Sequence, residues 1–127
     1  MMGVEDAIRE TVARYLDAFS SGERETWLDQ FAADATVEDP IGSEKRVGRD
    51  AIGGLWDETR GLAERITLEL TQGPAVRGHE AAFAFEARTE LGDATVVIPI
   101  IDVMTFDDDG RIRSQRAFWS DQDLHTE

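Results

Sequence analysis

Val96-Val97-Ile98-Pro99-Ile100-Ile101-Asp102-Val103-Met104 is the most apolar stretch of the chain, and an acid sits inside it. In a strand, alternate side chains share a face. Asp102 then groups with Ile98, Ile100, Met104 and Phe106, while Thr95, Val97, Ile101, Val103 and Thr105 take the opposite face. The carboxyl lies on the more apolar side. Its ionisation there is strongly disfavoured unless a cation pairs with it, so the acid is expected to keep its proton near neutral pH. A neutral carboxylic acid is a hydrogen-bond donor, a useful tool in a dry cavity. A structural acid capped by backbone amides or paired with an arginine is the alternative reading.

The neighbouring segments are also strand-like. Ile66, Leu68 and Leu70 alternate with Thr67, Glu69 and Thr71, and Gly73-Pro74 breaks or bulges that run. Ala81, Phe83, Phe85 and Ala87 alternate next, before a turn at Leu91-Gly92-Asp93. Asp107-Asp108-Asp109-Gly110 turns the chain into a last strand from Arg111 to about Trp119. The first half is helical. Ile8, Val12, Tyr15, Leu16 and Phe19 form the apolar stripe of a helix over residues 4–20, stopped by Ser20-Ser21-Gly22. A second helix is expected over about Glu23–Ala32 and a third from about Arg49-Asp50, weakened by Gly53-Gly54. Between them Ala35-Thr36-Val37-Glu38-Asp39 alternates briefly and ends at Pro40. Three helices followed by consecutive hairpins predict one α+β domain over residues 1–127, with the helices on one face of an antiparallel sheet.

With 27 acidic and 13 basic residues the formal charge is −14, which argues against nucleic acid and anionic membranes as partners. The chain has no cysteine, so disulfides and thiolate metal sites are excluded. No basic leader followed by an apolar run opens it, and a cytoplasmic location is expected. No metal site is expected: His79 and His125 stand alone, and the acids of Asp107-Asp108-Asp109-Gly110 are consecutive rather than spaced as in a calcium loop. Nucleophile-elbow, phosphate-loop and dinucleotide motifs are absent.

Asp39 is the second acid of interest. By strand parity it groups with Val37 and Ile41, leaving Glu38 to face solvent with Thr36. An Asp-Pro pair also reads as a plain turn. Tyr15, Asp39 and Asp102 are then three inward titratable groups on one helix and two strands. Two acids with opposed roles suit proton abstraction beside a carbonyl: one ionised to take the proton, one neutral to donate to the enolate oxygen. Tyr15 would be a second neutral donor.

Phe31-Ala32-Ala33-Asp34-Ala35-Thr36-Val37-Glu38-Asp39-Pro40, Ala13-Arg14-Tyr15 and Ile101-Asp102-Val103-Met104 resemble, in that order, the base, tyrosine and protonated-aspartate segments of bacterial Δ5-3-ketosteroid isomerases. Ala81-Ala82-Phe83-Ala84-Phe85 and Arg116-Ala117-Phe118-Trp119 resemble pocket-lining stretches of that family, and the likeness runs from about Ala13 to Leu124. It implies a curved antiparallel sheet wrapped by three helices into a cone, like nuclear transport factor two, and a homodimer. It implies that Asp39 moves a proton from the carbon between ketone and double bond to a position two carbons along, without a cofactor. Tyr15 and protonated Asp102 would hold the dienolate oxygen. Trp56, Phe83, Phe85 and Trp119 would wall in a flat, apolar steroid-like substrate, although aromatics on strand faces also serve as plain core. The chain departs from the family at two places. Trp56 stands where a tyrosine often supports the catalytic phenol, and Gln115 where a methionine is common. Polyketide cyclisation or hydration on the same scaffold, or carriage of apolar ligands without catalysis, are the rival functions.

Overall fold

The computed structural model describes residues 3–63 and 65–127. Its elements run α1 (Val4–Ser21), α2 (Arg24–Leu28), β1 (Phe31–Glu38), β2 (Arg46–Val47), α3 (Arg49–Arg60), β3 (Arg65–Arg77), β4 (Glu80–Leu91), β5 (Ala94–Phe106), β6 (Ile112–Phe118), a 3₁₀ turn (Asp121–Asp123) and β7 (His125–Thr126). Three helices cover one curved sheet that does not close, in strand order β2-β1-β6-β5-β4-β3, and β7 extends the pairing along β5. The sheet is antiparallel except at one junction. β1 lies parallel to β6, with Val37 beside Gln115 and Glu38 beside Arg116. The expected all-antiparallel arrangement fails there because these strands are joined through the whole meander rather than by a hairpin.

α1 follows its apolar stripe. Ile8, Val12, Tyr15, Leu16 and Phe19 are buried, and Gly22 closes the helix at φ 76°, a left-handed cap that glycine adopts without strain. α2 is shorter than expected. Phe31 and Ala32 leave the helical run because the sheet claims them: Ile112 N–H donates to the Gln30 carbonyl at 2.8 Å, and Arg49 Nε donates to the Phe31 carbonyl at 3.0 Å. α3 survives its two glycines because Ile52 and Trp56 anchor it in the core.

β3 runs through Gly73-Pro74 rather than stopping. The register against β4 shifts on either side of Gln72, so the run bulges and continues. The turn before β6 is held by Asp107, whose Oδ1 accepts from the Asp109 and Arg111 amides at 2.9 Å each. It docks on α1 through Gly110. Thr11 Oγ1 donates to the Gly110 carbonyl at 2.7 Å, and a Cβ on Gly110 would lie 2.8 Å from Ala7 Cβ.

In β5 the predicted alternation holds from Ile101 onward: Asp102, Met104 and Phe106 are buried, and Ile101 is exposed. Val97 breaks it. Expected on the outer face, it is fully buried, because Arg88 of β4 and His125 of β7 flank it in register and Arg88 reaches across to Glu127.

Candidate active site

A cavity of about 440 Å³ opens between the helices and the concave sheet face, a volume typical of small-molecule sites. Ile66, Leu68, Ile98 and Ile100 floor it, Phe19, Trp27, Leu55 and Leu62 come from the helical side, and Tyr15, Asp39 and Trp119 bring polar groups. Sequence parity had placed Ile98 and Ile100 on the face of Asp102. The contribution of Trp27 was missed, since nothing in its local pattern separates a cavity wall from a core residue.

Asp39 stands just past the end of β1 and lines the cavity. Trp119 Nε1–H donates to its Oδ1 at 2.7 Å. Burial raises the Asp39 carboxyl above the ordinary carboxylate range, while the Trp119 bond and the positive charge of Arg46 pull it back. Arg46 is held in place by Glu58 at 2.8 Å.

Asp102 is 0% exposed, and neither carboxyl oxygen has a hydrogen-bond partner. Among the described residues no cation pairs with it. Burial raises it well above the ordinary carboxylate range, the charge of Asp39 adds to the effect, and the adjacent Tyr15 hydroxyl opposes it. Burial thus favours the protonated carboxyl, the direction the strand pattern predicts. Unlike Tyr15 and Asp39, Asp102 does not line the cavity.

Tyr15 is 5% exposed. Burial pushes its phenol well above the ordinary value, and Asp102 and then Asp39 add to that. Gln115 Nε2 donates to the Tyr15 oxygen at 3.0 Å and works in the opposite direction. The structure therefore brings Tyr15, Asp39 and Asp102 within electrostatic reach of one another.

The four aromatic residues expected at the walls divide evenly. Phe85 and Trp119 line the cavity, and Trp56 and Phe83 do not. Trp56 packs edge-on against Phe19 (centroids 4.8 Å apart) and tilted against Trp27 (5.3 Å), under the Arg60 guanidinium. Phe83 meets Tyr15 edge-to-face and stacks on Phe85. Both pack against rings that line the cavity.

A family model described as a SnoaL-like domain matches residues 12–115. The steroid Delta-isomerase of Nocardioides simplex is 44% identical over 117 residues, covering 92% of this chain and 93% of that protein. Among solved structures, the epoxide hydrolase/cyclase-like enzyme SalBIII, studied for pyran ring formation in polyether salinomycin, matches with a TM-score of 0.84 at 27% identity, covering 94% of this chain and 95% of that one. The chain belongs to the SnoaL-like family and, within it, to the ketosteroid isomerases.

Proposed function

We propose that this chain is a steroid Δ-isomerase that converts 3-oxo-Δ5-steroids to 3-oxo-Δ4-steroids by one-base proton transfer. The observation that carries this reading is the pairing, at an apolar cavity, of a hydrogen-bonded acid that faces the cavity with a sealed acid, raised well above the carboxylate range by burial, beside a phenol. Ionised Asp39 takes the proton from the carbon between ketone and double bond. The released electron pair moves through the carbonyl carbon onto oxygen, forming a dienolate. Tyr15 and protonated Asp102 donate to that oxygen as its charge grows, where neutral donors in a water-poor site act strongly. Asp39 then returns the same proton two carbons along, so the base is regenerated and nothing is oxidised or reduced. Of the two donors, Tyr15 lines the cavity and Asp102 lies behind it.

Incubation with 5-androstene-3,17-dione, followed by the ultraviolet absorbance of the conjugated enone, tests the proposal. Turnover supports it. Binding without turnover would leave a carrier, and the mostly aliphatic lining disfavours the polar substrates of a cyclase or hydratase. A homodimer is part of the same reading. Ile101 and Phe118 pair in register on the outer sheet face at 52% and 41% exposure, an apolar patch suited to a second copy. Sedimentation at monomer mass would remove that element.

A further inference from the structure

Gln115 is 2% exposed, centred on β6 between Val37 of β1 and Met104 of β5. A primary amide there is costly unless both of its polar ends find partners. Only one does. Nε2 donates to the Tyr15 oxygen at 3.0 Å, and Oε1 has no partner. An apolar side chain of similar length would fill the same space without stranding an acceptor, so packing alone does not account for glutamine. What the amide supplies is direction. A phenol has one hydrogen to give. A neighbour that donates to the phenol oxygen leaves that hydrogen free, whereas one that accepts would consume it.

We propose that Gln115 is a positioning residue that orients the Tyr15 hydroxyl, its Nε2 donating to the phenol oxygen so that the phenol hydrogen stays available to a ligand oxygen in the cavity. The effect on turnover rests on the isomerase reading; the orientation of Tyr15 does not. The bond also favours negative charge on the phenol oxygen, so it strengthens Tyr15 as a donor as well as aiming it. It spans 100 positions of sequence and joins α1 to β6, which ties the phenol to the sheet that carries Asp102.

Tyr15 is the only tyrosine in the chain, so 13C placed at the tyrosine ring carbon bearing the hydroxyl gives a single resonance that reports on this group alone. Two variants remove the donor and keep an apolar side chain of similar length: Gln115→Met and Gln115→Leu. The resonance is expected to move in both. On 5-androstene-3,17-dione, kcat should fall about tenfold in both, the loss of one buried hydrogen bond, with KM within about twofold of the parent. A Tyr15 resonance unmoved in either folded variant would overturn the proposal, whatever the rates. If one variant does not fold, the other carries the same readout. A resonance that moves in a protein that never turns over the steroid would support the orienting role and refute the isomerase reading instead.

Discussion

Asp39 and Asp102 are the same residue type in opposed surroundings. Asp39 sits at a strand end, in reach of the cavity, with an indole N–H on one oxygen and the charge of Arg46 nearby. Asp102 sits mid-strand, sealed, with nothing on either oxygen. Burial raises both, and a donor pulls each back, Trp119 for Asp39 and Tyr15 for Asp102, yet only Asp39 also has an opposite charge, Arg46, favouring its charged form. Asp102 receives the reverse, because the negative charge its partner holds makes its own ionisation harder. The two protonation states are therefore coupled: stabilising the base as an anion helps keep the donor neutral.

The contrast breaks most visibly at the base. Asp39→Asn removes the proton acceptor while keeping size and the contact with Trp119, and kcat is expected to fall by roughly 10²–10⁴. Unchanged turnover would exclude Asp39 from proton transfer. Next in size is the donor. Asp102→Leu leaves a shape without a hydrogen to give and should cost about 2.7–4 kcal/mol of transition-state stabilisation, about 10²–10³ in rate. Asp102→Asn can still donate and should lose less. Equal losses in the two variants would mean that Asp102 does not act as a donor.

Much of this arrangement is legible in sequence because it depends on periodicity. The helical stripe turns Tyr15 inward, and strand parity turns Asp102 and Asp39 inward, each from residues within a few positions. What periodicity does not encode is which distant side chain meets which. Trp119 finds Asp39 across 80 positions and Gln115 finds Tyr15 across 100, pairings created by the long-range fold, including the parallel β1–β6 contact that local patterns do not announce. The same limit separates Phe83 from Phe85. They share a strand face two residues apart, and only the position of α1 decides that one packs on Tyr15 while the other meets the cavity. Val97 shows it again, since its burial depends on chain-end residues that fold back along β5.

The sealed acid also has a thermodynamic signature. An unfolded aspartate ionises near about pH 4, whereas native Asp102 holds its proton to much higher pH. Between those limits the native state binds the extra proton, so this group makes stability fall as pH rises. Asparagine has no such dependence. The melting temperature of Asp102→Asn, measured against the parent from about pH 4 upward, should gain on the parent steadily as pH increases. A difference independent of pH would mean that Asp102 is ionised in the native state or that its acidity is unchanged on folding.

The smallest expected effect tests the other side of the comparison. Trp119 lowers the proton affinity of Asp39 by donating to its carboxylate, so Trp119→Phe keeps the aromatic wall and removes only the N–H. Asp39 then holds its proton to higher pH. The acid limb of kcat/KM, where activity falls as the base becomes protonated, should move upward in pH, while the rate on the plateau stays within about tenfold of the parent. At the higher pH where Asp102 gives up its proton, Asp39 is ionised in parent and variant alike, so a fall in activity set by Asp102 should stay where it is. An acid limb that does not move would mean that the indole bond contributes packing and no electrostatic bias to the base.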